Sequence, residues 1–136
     1  MNAQLAPIRR EIDEAVKKVI DSGRFIMGPE VAEFEAAVRD YCDVRHAIGV
    51  SNGTDAITLA LEAMGIGPGD RVICHSFTYY ATAGAVARTG AECVFVDIDP
   101  TTNCIDVPSI KAYFERNTHD AIRNTKAVIP VHLYGQ

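Results

Sequence analysis

The sequence predicts an α/β fold in which a mostly parallel sheet is flanked by helices. From residue 46 onward, short apolar runs alternate with longer stretches of helical periodicity, which is the order expected for parallel strands joined by crossover helices. The apolar runs are nearly continuous, as in strands that are covered on both faces. We therefore expect residues 1–45 to form an N-terminal helical segment and residues 46–136 to form an α/β large domain.

Two amphipathic helices are expected in the N-terminal segment. At 8–22 the apolar residues recur at intervals of three and four, and Gly23 follows as a helix end. At 30–42 the apolar residues again share one side. The segment between these helices, RFIMGP at 24–29, is apolar, so a ligand, a partner subunit or further core is needed to cover it.

The large domain is expected to contain four strands and three helices. Each predicted strand is a short run rich in Val, Ile and Cys, and turn-forming residues such as those of GIGPGD separate the runs. The expected strands are 46–50, 71–75, 92–96 and 126–131, and the expected helices are 54–64, 79–89 and 107–116.

Composition excludes several classes of function. With 136 residues, 48% of them hydrophobic, the chain is long enough for one domain with a core. Its net charge is −5 and the sequence contains no basic patch, so we expect no nucleic-acid partner and no membrane partner. No apolar stretch reaches bilayer length and the N-terminus lacks a signal-peptide core, which indicates the cytoplasm. The four cysteines and four histidines are scattered, so we expect no metal site.

The segment SNGTDA at 51–56 is the first candidate for a binding site. It follows a predicted strand and opens a helix, where a serine or asparagine can act as the cap. Gly53 brings no Cβ, and the amides of Gly53, Thr54 and Asp55 can converge on an anion at the positive end of the helix. A phosphate would fit there, although an ordinary capped turn would look the same. The segment is neither a Walker loop nor a GxGxxG motif.

Two more candidates follow later predicted strands. Tyr79 and Tyr80 stand where a helix begins, so one ring can stack on a planar ligand while the other packs or faces solvent. Both can equally be plain core or surface residues. Asp97 and Asp99 could be catalytic acids, but acids in such a turn more often cap backbone amides, and we favour that interpretation.

Four blocks of the chain resemble the DegT/DnrJ/EryC1/StrS sugar aminotransferases. The blocks include SGRFIMGPEVAEFE, SNGTDAITLALEAMGIGPGDRVI and TKAVIPVHLYGQ, and they follow one another in the family's order and spacing over almost the whole chain. Asp43 departs from the pattern, because the family commonly has glycine in that tight turn. The matching blocks are 22–35, 51–73, 77–106 and 125–136.

The resemblance implies the N-terminal part of a fold-type-I pyridoxal-phosphate transferase large domain. Such enzymes are homo-oligomers that use pyridoxal 5′-phosphate to move an amino group from an amino-acid donor onto a keto group of a nucleotide-diphosphate sugar. The resemblance also implies roles for residues of this sequence: Gly53, Thr54 and Asp55 at the cofactor phosphate, Tyr79 over the pyridine ring, Phe25, Met27 and Gly28 on the sugar-nucleotide side, and His132 and Tyr134 in a strand-end motif.

The resemblance also implies that the chain lacks its catalytic residue. The family's lysine that binds the cofactor covalently, and the acid that pairs with the pyridine nitrogen, belong to motifs that no part of this sequence matches. The four lysines at 17, 18, 111 and 126 stand in other contexts. We therefore expect no catalytic residue among residues 1–136, an incomplete large domain at 46–136, and a chain that is inactive alone and tends to associate.

Two alternatives belong to other functional classes. The chain could be a non-catalytic α/β binding or assembly module for a phosphorylated ligand. A Rossmann-type dinucleotide binder is disfavoured, because the glycine pattern is wrong and Cys74 and His75, rather than an acid, end the second predicted strand.

Overall fold

A computed structural model describes residues 2–136, and residue 1 of the predicted helical segment lies outside the described part. The chain forms two compact units, which meet along the sequence between Gly49 and Val50. The first unit is helical and the second contains the sheet.

Helices make up the first unit. A short helix α1 (Asn2–Leu5) and a 3-10 turn (Ala6–Ile8) lead into α2 (Arg9–Ser22), and α3 (Pro29–Tyr41) follows. Gly23 ends α2 with a left-handed φ of +66° while its amide bonds to the carbonyl of Ile20, which is the conformation that glycine adopts most readily. Both helices predicted here are confirmed to within one residue at each end.

The strand predicted at 46–50 is wrong. The structure has neither helix nor strand over these residues, and Ile48 is 80% exposed. The amide of Gly49 instead bonds to the Glu35 carboxylate at 2.7 Å. A β-strand needs a neighbouring strand to receive its backbone hydrogen bonds, and no described residue offers one to this segment.

Three parallel strands form the sheet of the second unit. They are β1 (Arg71–His75), β2 (Glu92–Val96) and β3 (Thr125–Ile129), in the spatial order β2-β1-β3. The central strand pairs Val72 with Cys93 on one side and with Ala127 on the other. Four of the five residues of β1 are buried, as expected for a parallel strand with helices on its faces. The α/β fold class predicted from the sequence is therefore confirmed.

Four helices accompany the sheet. They are α4 (Gly53–Ala63), α5 (Ala81–Arg88), α6 (Val107–Arg116) and α7 (His119–Asn124). The first three correspond to the predicted helices, whereas α7 was not predicted. Thr118 caps α7 by accepting a hydrogen bond from the amide of Ala121 at 3.3 Å, and the helix is only six residues long, too short to show an apolar period.

The hydrophobic core lies where α4 and α5 pack against the sheet. It comprises five buried residues: Leu61, Ile66, Val72, Val86 and Ala91. Cys74 is also fully buried. Burial, followed by the Cys93 sulfur at 2.9 Å, raises the pKa of the Cys74 thiol to about 12, so this cysteine stays protonated and packs as a small apolar side chain.

Both outer strands of the sheet leave apolar side chains uncovered. Phe95 of β2 is 57% exposed and Val128 of β3 is 41% exposed. None of the helices in the described range is both long and apolar enough to cross a membrane.

Candidate functional site

The N-terminus of α4 carries the predicted phosphate site. Asn52 caps the helix, because its side-chain oxygen accepts the amide of Asp55 at 2.9 Å and its carbonyl accepts the amide of Ala56 at 3.0 Å. Within residues 2–136 the amides of Gly53 and Thr54 have no acceptor. The expectation that the Asp55 amide would also be available is therefore corrected, since the cap uses it.

Gly53 opens onto empty space. A Cβ built on this residue would find no protein atom within 4 Å, and its φ is not in the left-handed region. The chain's own packing and backbone therefore do not require glycine there. A tetrahedral anion fits the start of this 11-residue helix, because the amides of Gly53 and Thr54 have no acceptor within residues 2–136 and the position of a Gly53 Cβ is open.

The Asp55 carboxylate lies beside these amides and has three hydrogen-bond donors. It accepts the Ser51 hydroxyl, the Asn52 side-chain amide at 2.9 Å and the Arg88 guanidinium at 2.9 Å. The Ser51 hydrogen bond is the main cause that lowers the pKa of Asp55, and the Arg88 hydrogen bond and charge lower it further against an opposing effect of desolvation. Asp55 is therefore an ionised group that braces the turn.

Sequence reasoning missed Arg88. This residue is 33 positions from Asp55 in the sequence. It is the last residue of α5, and a basic residue is common in the last turn of a helix, so the sequence alone gives it no special role. Only the packing of α4 against α5 brings the two side chains together. The sequence carries no local signal for such a pair.

Tyr79 and Tyr80 lie in the connection between β1 and α5. Both rings are highly exposed, at 79% and 82%, and α5 begins at Ala81 rather than at the predicted position 79. The Tyr80 ring turns back over its own helix, since its Cε1 would lie 3.1 Å from a Cβ on Gly84. No described residue packs a ring against Tyr79, so the face of its ring is open to a ligand.

The strand order reverses at β1, the central strand of the sheet. The chain passes from β1 to β2 on one side and later returns to β3 on the other side of β1. Ligands of open α/β sheets bind at such a reversal, between the loops that follow the two diverging strands. Tyr79 stands in the loop after β1, and His132 and Tyr134 follow β3.

His75 ends the central strand and has no hydrogen-bond partner in the described structure. Its side chain is fully buried, and neither ring nitrogen meets a donor or an acceptor. Buried polar groups nearly always have a hydrogen-bond partner, so this unpartnered imidazole at the carboxyl end of β1 is unusual.

The predicted sugar-side residues lie in the first unit, in the turn between α2 and α3. Phe25 is 70% exposed and Met27 is 78% exposed, and they line a cavity of about 550 Å³. Met27 has a φ of +50°, which is uncommon for a residue other than glycine. Gly28 is needed locally, because a Cβ there would come within 3.0 Å of the Arg24 carbonyl oxygen.

The remaining acidic candidates are structural. The Asp99 carboxylate accepts the amide of Thr101 at 2.6 Å, and this hydrogen bond is the main cause that lowers the pKa of Asp99. Asp97 accepts the amide of Ile98 at 2.9 Å. The turn interpretation favoured from the sequence is therefore confirmed. Across residues 2–136, no three His, Cys, Asp or Glu side chains gather to hold a metal ion.

Comparison with known proteins identifies the family. The model of the DegT/DnrJ/EryC1/StrS aminotransferase family matches residues 7–136, and the chain belongs to this family.

Two curated relatives match almost the entire chain. A pleiotropic regulatory protein of Geobacillus stearothermophilus is 46% identical over 136 residues. A UDP-2-acetamido-2-deoxy-3-oxo-D-glucuronate aminotransferase of Pseudomonas aeruginosa is 44% identical over 133 residues, or 98% of this chain. In each case the chain spans 35% of the relative's length.

A solved structure of a similar protein has the same fold as this chain. NtdA from Bacillus subtilis, with the bound cofactor PMP, superposes with a TM-score of 0.83 at 39% identity, covering 93% of this chain and 27% of that one. The cofactor class expected from the sequence is thus present in a relative of the same fold.

Proposed function

We propose that residues 1–136 form the N-terminal portion of a pyridoxal-phosphate-dependent aminotransferase that aminates a keto group of a nucleotide-linked sugar, with an amino acid as the amino donor. The observation that carries the proposal is the capped start of α4, where the amides of Gly53 and Thr54 have no acceptor within residues 2–136 and a Cβ on Gly53 would meet no neighbouring atom. Membership of the aminotransferase family and the similarity to a sugar-nucleotide aminotransferase support it.

The chain's own residues would bind and orient the cofactor. Pyridoxal 5′-phosphate, when bound, supplies the electron sink that amino-group transfer requires. The amides of Gly53 and Thr54 and the Thr54 hydroxyl would hold the phosphate at the positive end of α4. The exposed ring of Tyr79 would lie over the planar ring of the cofactor. Asp55 would brace the turn through its side chain rather than through its amide.

The substrate would be recognised in part by the turn after α2. Phe25 and Met27 present an apolar surface around a cavity of about 550 Å³, which is within the range of small-molecule sites. Apolar side chains exposed to this extent call for a ligand or a second subunit to cover them. We therefore extend the proposal to a nucleotide-diphosphate sugar near Phe25, Met27 and Gly28 and to a homo-oligomer.

The phosphate site is tested with Gly53→Val in the full-length protein, meaning the whole polypeptide to which residues 1–136 belong. A Cβ at this position meets no neighbouring atom, so a valine adds bulk beside the two amides without a clash at its Cβ. We expect the dissociation constant of pyridoxal 5′-phosphate, titrated into the cofactor-free protein, to rise by at least about tenfold. Thr54→Ala, which removes one hydroxyl, should raise it by less.

Gly67→Val is the matched control. Gly67 follows the opposite end of α4, and a Cβ there would make only an ordinary 3.6 Å contact with the Thr89 carbonyl oxygen. It should leave the affinity for the cofactor unchanged. Equal affinity in the Gly53→Val, Thr54→Ala and wild-type proteins would refute the phosphate site.

We further propose that the 136-residue chain alone does not catalyse transamination. Its four lysines are all exposed. Two of them form ion pairs in the first unit, Lys17 with Asp21 and Lys18 with Glu30. Lys126 donates a hydrogen bond to the carbonyl of Arg123. After mixing with pyridoxal 5′-phosphate and reduction with borohydride, mass spectrometry should show scattered, substoichiometric labelling. One stoichiometric lysine adduct would overturn this part of the proposal and would reveal a covalent cofactor site within the chain.

A further inference from the structure

The start of α4 poses an electrostatic problem for the proposed phosphate site. Asp55 lies in the first turn of the helix, beside the free amides of Gly53 and Thr54, and its carboxylate is hydrogen-bonded in a manner that favours the ionised form. A negative charge next to a dianionic phosphate would oppose binding. The site therefore needs a compensating positive charge that does not cover the amides.

Arg88 supplies a charge in that position. Its Nη1 lies 2.9 Å from Asp55 Oδ1, while Ser51 and Asn52 donate to the other carboxylate oxygen. Arg88 is also the single basic residue among those lining the cavity of about 370 Å³ beside this turn, whose acidic members are Asp55 and Glu62. Its side chain reaches the turn from the end of α5.

We propose that Arg88 is a positioning residue that neutralises the Asp55 carboxylate in the first turn of α4, so that the amides of Gly53 and Thr54 can bind a phosphate dianion. The inference rests on the proposed function, because it assumes that a phosphate binds there. It adds a residue from a different helix to the site and explains how an acid can occupy the first turn of an anion site.

The experiment compares two probes on the cofactor-free full-length protein. Pyridoxal 5′-phosphate carries the phosphate and pyridoxal lacks it, and the dissociation constant of each is measured by absorbance titration. In Arg88→Gln the constant for pyridoxal 5′-phosphate should rise about fivefold, whereas that for pyridoxal should not change. Arg88→Lys, which keeps the charge, should retain most of the affinity.

A double variant separates charge compensation from simple bracing. Adding Asp55→Asn to Arg88→Gln removes the uncompensated carboxylate, so affinity for pyridoxal 5′-phosphate should return to within about twofold of the wild-type value. If Arg88 only tied α4 to α5, the double variant would not recover, and both probes would bind less well. If Arg88→Gln does not fold, the Lys variant and the double variant carry the same comparison.

The outcomes distinguish the two proposals. If Gly53→Val weakens binding of pyridoxal 5′-phosphate but Arg88→Gln binds it like the wild type, the phosphate site stands and the role of Arg88 is refuted. If neither substitution changes the affinity, the proposed phosphate site itself fails.

Discussion

Tyr79 and Tyr80 show how two adjacent, highly exposed side chains can differ in their surroundings. The Tyr80 ring lies against its own helix near Gly84, whereas the Tyr79 ring has no aromatic neighbour among the residues described. We therefore propose Tyr79, rather than Tyr80, as the ring that stacks on a planar ligand.

Substitution of these tyrosines gives a prediction at the residue scale. Tyr79→Ala in the full-length protein should weaken binding of pyridoxal 5′-phosphate by about three- to tenfold, because an aromatic pair contributes about 0.5–1.5 kcal/mol. Tyr79→Phe should bind normally, since stacking needs the ring and not the hydroxyl. Tyr80→Ala is the control and should leave the dissociation constant unchanged. A larger loss of cofactor affinity in Tyr80→Ala than in Tyr79→Ala would show that Tyr80, and not Tyr79, stacks on the cofactor.

Residues of the proposed site were predictable only where the signal was local. The segment SNGTDA predicts a capped helix start with glycine in its first turn, and in the structure Asn52 forms that cap. The use of the Asp55 amide by the cap was not predicted, because Ser51 and Asn52 are equally good caps and only geometry decides between them. Arg88 was beyond reach, because its partner lies in another helix.

Helix caps set several boundaries in the sheet-containing unit. Asp106 precedes α6, and its carboxylate accepts the amide of Ser109 at 2.8 Å. Pro108 stands within the first two positions of that helix, where its missing amide hydrogen costs nothing. The start of α6 therefore depends on one side chain that can be replaced without touching the proposed phosphate site.

Replacement of that cap gives a prediction at the element scale. Asp106→Ala should destabilise the first turn of α6 by about 1 kcal/mol, because the amide of Ser109 loses its acceptor. Hydrogen exchange of the α6 amides, measured by mass spectrometry, should accelerate about fivefold, while exchange in α4 should not change. Asp106→Ser, which also caps helices well, should exchange at nearly the wild-type rate. Unchanged exchange in the alanine variant would show that the cap contributes little.

Elements were predictable in proportion to the length and continuity of their pattern. Both β1 and β2 match the predicted residues throughout, because each is an uninterrupted apolar run followed by polar or turn-forming residues. The segment at 46–50 is also a short apolar run, but it has no neighbouring strand within residues 2–136, so its pattern alone gave the wrong result. Strand formation is a property of pairs of segments, and a single-sequence pattern does not contain the partner.

At the scale of the whole molecule, the sheet has two open edges. Among residues 2–136 the outer strands β2 and β3 each pair with β1 alone, and the apolar side chains Phe95 and Val128 are partly uncovered. Unpaired edges and exposed apolar faces favour association with another chain.

The 136-residue chain should therefore self-associate when it is produced alone. Sedimentation velocity at increasing protein concentration should show species larger than the monomer, and Phe95→Lys should reduce their proportion, because a lysine on an edge strand opposes pairing. Gln4→Lys, at an exposed position of α1 in the first unit, adds the same charge without altering an edge strand and serves as the control. A monodisperse monomer with a single cooperative unfolding transition would contradict the prediction and favour a self-standing binding module.

His75 gives the carboxyl edge of the sheet a chemical preference of its own. Leaving a buried polar group without a partner costs about 1–3 kcal/mol, and this side chain keeps two such atoms out of water. The residues that cover this ring have to move before a segment or ligand can reach it, and the energy is then recovered only if that group offers a donor or an acceptor, whereas a purely hydrocarbon surface recovers none. The carboxyl end of the central strand therefore favours a neighbouring group that is polar over one that is purely apolar.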